Sequence, residues 1–147
     1  MYEVKYMASG RVMGIDFGMR HIGVALSDTL RITASGFETV NWNGIDPEAP
    51  SDRIAAIIKE KDVKELVMGK PSRTDGTMSE SERKAILFGE LLQAKTGLVP
   101  TFIDERYTTV IASRFLHENN IKAQKQKKII DQVAAEIILQ EYLEKNR

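Results

Sequence analysis

The chain contains no cysteine, so disulfides and thiolate metal sites are excluded. Its two histidines, His21 and His117, are too few for a His-rich zinc centre. A divalent cation here would be held by carboxylates, a donor set that favours magnesium or manganese. Neither sign of charge is in excess, with 21 Lys plus Arg against 21 Asp plus Glu. Overall charge therefore does not advertise a nucleic-acid partner, and any basic surface must be local. No stretch approaches the ~18 apolar residues of a membrane span. Residues 1–10 lack the apolar core of a signal peptide, and the expected location is the cytoplasm. Repeats and low-complexity linkers are missing too. What remains is a chain of 147 residues, 42% hydrophobic and 29% charged. That is the profile of one globular domain over 1–147, with 1–10 as an N-terminal extension.

The stretch from Met13 to Asp28 organises the rest. Val12, Met13 and Ile15 lead into a turn, and Ile22, Val24, Ala25 and Leu26 lead out of it. This pattern predicts a β-hairpin. Asp16 breaks the apolar logic of its strand, because aspartate is a poor strand former and costly to bury unpaired. Two readings stand: a carboxylate kept to hold a metal ion or a proton over the sheet, or one that bonds its own turn amides. Gly18 is expected to leave room for a ligand to approach the backbone.

Beyond the hairpin, Ile32 to Val40 predicts a third antiparallel strand. Residues 41–50 read as an exposed loop that Trp42 pins to the body. Ile54, Ala55, Ile57 and Ile58 give a helix over 51–61, capped by Ser51 or Asp52. Glu65 to Met68 predicts a buried parallel strand. Ser79 to Glu82 is a capping box that opens a helix closed by Gly97. Leu98 to Ile103 predicts a strand, with Pro100 favouring an early or edge position. A helix starts at Thr108 or Thr109, and the last helix spans about Ile129 to Glu144. Antiparallel strands followed by βα units give an α/β, mixed five-stranded sheet with helices on both faces, the order of an RNase H-like domain.

Three acidic positions stand where another residue type is expected: Asp16, the pair Asp104-Glu105 after the last strand, and Asp131. Asp131 lies about 20° from Ile138 on the helical wheel, on the rim of the buried face. Open α/β sheets bind ligands at the carboxyl ends of strands. Three carboxylates converging there would need a cation, and their chemistry would be metal-assisted phosphodiester hydrolysis with one or two ions. Each acid also has a plainer reading. Asp131 suits a helix dipole, and Glu105 suits an ion pair with Arg106 or Arg114. Basic residues form a second layer. Arg20, His21, Lys70, Arg73 and Arg106 fall in loops at strand ends, and Lys122, Lys125, Lys127 and Lys128 precede Asp131. They would neutralise phosphates, or form solvated surface.

Four blocks follow one another along the chain. The first is Gly14-Ile15-Asp16-Phe17-Gly18 with Ile22-Gly23-Val24-Ala25 and Ser27-Asp28. The second is Gly69-Lys70-Pro71 with Asp75-Gly76-Thr77. The third is Asp104-Glu105-Arg106-Tyr107-Thr108-Thr109 with Ala112. The fourth is Asp131 with Ala134-Ala135, Ile138-Leu139-Gln140 and Tyr142-Leu143. In this order they resemble the YqgF/RuvX family, whose members are named Holliday junction resolvases or pre-16S ribosomal RNA nucleases. The resemblance implies an RNase H-like fold with acids at Asp16, at Glu105 or its neighbour Asp104, and at Asp131. It also implies a magnesium-dependent nuclease acting on pre-16S ribosomal RNA, with branched DNA as the alternative substrate. The chain departs from the family pattern at His21 and Arg73, where Arg and Asn are usual, and in the length of its leading segment. Two other classes compete. One is a nucleic-acid binder with little catalysis. The other is a sugar kinase or actin-like ATPase, which needs two such domains where this chain has length for one.

Overall fold

The computed structural model describes residues 10–70, 77–104 and 123–146, with side chains from 130 onward in the last segment. The hairpin forms as expected. β1 (Arg11–Asp16) pairs antiparallel with β2 (His21–Ser27), with Ile15 opposite Val24 and Asp16 opposite Gly23. β3 (Ala34–Asn41) joins the outer edge of β2. It begins two residues later than expected, because Asp28 Oδ1 accepts the backbone N–H groups of Ile32 and Thr33 at 2.7 and 3.0 Å. Those donors are spent on a turn and are not free for a ladder.

α1 (Glu48–Glu60) starts three residues before the expected Ser51. Asp46 Oδ1 accepts from Glu48 N, and Pro50 sits in the first turn, where a missing N–H costs nothing. Ser51 is not a cap: it is buried and donates to the Glu48 carbonyl. β4 (Val63–Lys70) follows, parallel to β1. α2 (Glu80–Thr96) is capped by Ser79, whose hydroxyl accepts from Glu82 N at 3.0 Å, and ends at Gly97 with φ of 80°. β5 (Thr101–Asp104) is shorter than expected and forms the edge beside β4, just after Pro100. α3 (Ala123–Lys145) starts about six residues earlier than its apolar stripe implied. The N-terminal extension up to residue 9 and the helix expected from Thr108 or Thr109 lie outside the described residues.

The sheet order is β3-β2-β1-β4-β5, mixed as expected, with helices on both faces. Strand alternation sorts the side chains. Met13, Ile15, Phe17, Ile22, Val24 and Leu26 face α1 and α2, where Ile54, Ile57, Phe88 and Leu92 complete the larger core. Val12, Ala25 and Val67 face α3 and meet Ala135, Ile138, Leu139 and Leu143. No described helix is long and apolar enough to cross a membrane.

The α3 side is lined by very small residues. Gly14 lies opposite Ala25, and Ala25 opposite Gly36, which makes a row across three strands. A Cβ at Gly14 would stand 2.8 Å from Leu139 Cβ, and one at Gly36 3.2 Å from Gln132 Cβ. At Gly23 it would stand 1.9 Å from the Asp131 carbonyl oxygen. These gaps let α3 settle against the sheet backbone itself.

Gly23→Ala should therefore destabilise the fold by at least ~2 kcal/mol, because its obstacle is backbone and cannot rotate away. Gly97→Ala meets nothing within 4 Å and pays only for its positive φ, so about 1 kcal/mol is expected. Urea unfolding of both variants checks the contrast, and equal losses would refute the packing argument.

Candidate active site

Asp16 closes β1 and is only 6% exposed. Alternation puts it on the α3 face with Val12 and Gly14, while Ile15 and Phe17 face the other core. Its register partner is Gly23, and Gly23 lies against the Asp131 backbone. The missing Cβ at Gly23 thus brings a helix residue to the end of a strand 115 positions earlier in the chain. Gln132 holds this part of α3, with Nε2 donating to Thr39 Oγ1 of β3 at 3.1 Å.

The two acids feel one another. Burial pushes the Asp131 carboxyl up to about 6, the charge of Asp16 adds to the rise, and His21 offsets part of it. His21 opens β2 and is exposed, with Nδ1 2.7 Å from Asn41 Oδ1 across the β2–β3 ladder. With Nδ1–H donating to that oxygen, Nε2 is left for the site.

The other expected residues divide by face. Arg20 is exposed in the hairpin loop, where its carbonyl accepts Trp42 N at 3.0 Å. Lys70 ends β4 but lies on the α1–α2 side, and its ammonium donates to Glu82 Oε2 at 2.8 Å. Glu82 is nearly buried, so the residue read as half of a capping box is also the anchor of a lysine read as a phosphate contact. Asp104 is opposite Lys70 in the parallel ladder, and alternation with Phe102 sets it on that same side, away from Asp16 and Asp131. Glu105, Arg106 and Arg73 lie outside the described residues, as do the side chains of Lys125, Lys127 and Lys128. Gly18 has a different role from the expected one: a Cβ there would stand 2.4 Å from the His21 carbonyl oxygen, so the hairpin turn itself requires glycine.

Sequence reasoning missed Gly23, Asn41 and Glu82. Gly23 carried a signal, a glycine in mid-strand where close approach of another backbone is the usual cause. Asn41 and Glu82 act through partners on other elements and carried none.

The pair of acids is chemically suited to a cation. A half-buried carboxyl that is hard to ionise beside a second acid is relieved by positive charge, and two oxygen donors of this type suit a hard divalent ion. Among the described residues, no group of three or more potential ligands forms a complete site.

Solved structures share this architecture. T. thermophilus RuvC in complex with a Holliday junction substrate superposes with a TM-score of 0.61 at 12% identity, over 93% of this chain and 95% of that one. The fowlpox virus Holliday junction resolvase gives 0.58 at 11% identity, over 93% and 99%. The fold is thus the RNase H-like fold of RuvC-type resolvases. Sequence comparison narrows the class. The profile of the RuvX family, described as Holliday junction resolvase, matches residues 10–145. A protein of Clostridioides difficile named "Putative pre-16S rRNA nuclease" is 45% identical over 94% of this chain and 96% of its own length. One of the same name from Ligilactobacillus salivarius is 46% identical over 92% of each chain. The chain belongs to the RuvX family.

The raised Asp131 carboxyl has a sign that can be measured. Between about pH 4 and 6 the folded state holds more protons at Asp131 than the unfolded state does. Its contribution to stability therefore falls as pH rises through that window and is level above it. Asp131→Asn should remove this slope. At pH 7.5, without added metal, it should leave stability unchanged or raise it by on the order of 1 kcal/mol, discounted for the half of the group that solvent screens. The helix-dipole reading falls with the early start of α3, which puts Asp131 in its third turn, and an Asp131 held only by a basic neighbour would lose ~0.2–1 kcal/mol on neutralisation instead. Urea unfolding of both proteins between pH 4 and 8 separates the two.

Proposed function

We propose that this chain is a metal-dependent nuclease that hydrolyses phosphodiester bonds in structured nucleic acid, and that its substrate is the 5′ end of precursor 16S ribosomal RNA. The observation that carries the chemistry is the convergence of Asp16 and Asp131 across Gly23 at the carboxyl end of the sheet. The substrate is taken from the names of the relatives that match nearly the whole chain. The family description supports a second reading, cleavage of four-way DNA junctions, which presents phosphodiesters to the same acids.

Asp16, Asp131 and Glu105 are the proposed ligands of magnesium or manganese, as one or two ions. Of the pair at the end of β5, Glu105 is preferred because Asp104 stands on the opposite face with Lys70. A bound divalent ion would supply the positive charge that offsets the acids and the polarisation that prepares water to attack phosphorus. The protein's own groups position the strand. The exposed Arg20 neutralises phosphate beside the acids. His21, held through Nδ1 by Asn41, offers Nε2 to a phosphate oxygen or a water. Arg73, Arg106, Lys125, Lys127 and Lys128 extend the basic layer, whereas Lys70 is engaged with Glu82 on the other face of the sheet.

Asp16→Asn should abolish cleavage while largely sparing binding, because it removes a metal ligand and leaves the basic groups. Wild-type turnover of precursor ribosomal RNA and four-way DNA, tested side by side with magnesium and with manganese, decides the substrate; cleavage of neither sinks the enzyme reading. Replacing Lys125, Lys127 and Lys128 by Gln should reduce the slope of log affinity against log salt by up to ~0.9 per lost contact on duplex DNA, and less on single strands. An unchanged slope would make these lysines solvated surface.

A further inference from the structure

The hairpin that carries Asp16 has a second working side. Phe17, the next residue, faces the opposite core and floors a hollow of about 260 Å3 lined by Trp42, Ile45, Pro47, Leu87 and Phe88. Three of these rings form one cluster: Phe17 lies 5.6 Å from Trp42 and 5.2 Å from Phe88, centroid to centroid. The walls have spent their polar groups. Trp42 Nε1, the indole's single donor, is given to the Gly18 carbonyl at 2.8 Å, and Lys84 Nζ to the Gly44 carbonyl at 2.9 Å. The rim is apolar and open, with Ile45 82% and Leu87 49% exposed. Such a surface recognises a flat apolar face and does not read hydrogen-bonding edges.

Its size and place narrow the occupant. The hollow falls below the ~300–1,000 Å3 usual for drug-sized ligands and suits a single ring system. Lys84 lines it with positive charge, as an occupant attached to phosphates requires, and the Arg20 side chain approaches Gly44, the residue before Ile45. It shares its loop with the acid that the nuclease reading places at the scissile phosphate. We propose that the hollow stacks one unpaired nucleobase of the strand whose phosphate lies at Asp16. This rests on the nuclease reading and deepens it: the substrate is a strand unpaired beside the cleaved bond, and its base is held without regard to identity.

Trp42 is the only tryptophan of the chain, so its fluorescence reports the hollow directly. The full-length protein is titrated, without divalent ion, with a labelled single-stranded RNA octamer, with the same octamer abasic at every position, and with the octamer fully paired. Anisotropy reads binding and emission reads stacking. The expected result is quenching of Trp42 by the single strand. The fully abasic octamer should not quench and should bind about 10-fold more weakly, the size of one lost stacked base. The paired octamer should not quench. A variant carrying Ile45→Ser and Leu87→Ser, confirmed folded by its thermal melt, should bind the intact octamer about as weakly as wild type binds the abasic one. Binding with unchanged Trp42 emission, or equal quenching by the abasic octamer, overturns the base pocket and leaves the nuclease reading standing. No binding of the single strand by anisotropy likewise overturns the base pocket alone, because the nuclease reading is decided by cleavage of structured nucleic acid, and quenching by a leucine-rich peptide in place of RNA reassigns the hollow to a protein partner.

Discussion

Helix α3 can hold a carboxylate over the end of β1 because almost nothing separates the helix from the sheet. Gly14, Ala25 and Gly36 form a row of minimal side chains across three strands, and Gly23 touches the backbone of Asp131 itself. The opposite face is built in the ordinary way, with Ile, Leu, Met and Phe filling a thick layer under α1 and α2. The asymmetry has a consequence. A thick apolar layer stabilises through buried area, each large side chain contributing ~1.5–3 kcal/mol. A thin one gives up some of that area and gains position, because a backbone contact leaves the helix no freedom to shift. Asp16 and Asp131, the acids proposed to carry the chemistry, sit on the thin side.

That placement works against stability as the chain stands alone. Asp131 is half-buried near a second acid, and its carboxyl resists ionisation for that reason. The rest of the domain supports the arrangement from outside. Gln132 ties α3 to Thr39, and Gln140 accepts from Ala34 N and donates to the Ile32 carbonyl, so the start of β3 is sewn to the same helix. At the other end of the sheet, Arg31 bonds both the Gly10 carbonyl and Glu65, and Tyr142 of α3 also bonds Glu65. Two anchors at opposite ends of α3 fix its height and its rotation, and so fix Asp131 before any cation arrives.

The hairpin turn joins two environments within two residues. Asp16 faces the thin, polar side and Phe17 the thick, aromatic one, and Gly18 makes the turn tight enough for its carbonyl to hold Trp42. A strand end therefore serves charge on one face and ring surface on the other. The basic residues follow the same division: His21 is coupled to Asp131, whereas Lys70 turns to Glu82 on the far side.

Much of this was readable from residue order. Period-two alternation marked β1 and β2, the stripe through Ile54 and Ile58 marked α1, Ser79 and Gly97 marked the ends of α2, and Asp16 declared itself by standing where a strand wants an apolar residue. These are local properties, set by the side-chain and backbone preferences of neighbours in the chain. The boundaries that moved did so through contacts a few residues away: Asp28 took the amides that would have lengthened β3, and Asp46 started α1 before Ser51. Decisions about partners belonged to the tertiary structure alone. Which face Asp104 occupies follows from pairing with β4, the fate of Lys70 follows from Glu82 on a later helix, and the ring cluster gathers Phe17, Trp42 and Phe88 from three elements. Residue order by itself determined that acids, glycines and a hairpin were present. Only the folded sheet decided that Gly23 would stand under Asp131, because distance across a sheet is set by register and helix height, which no local preference encodes.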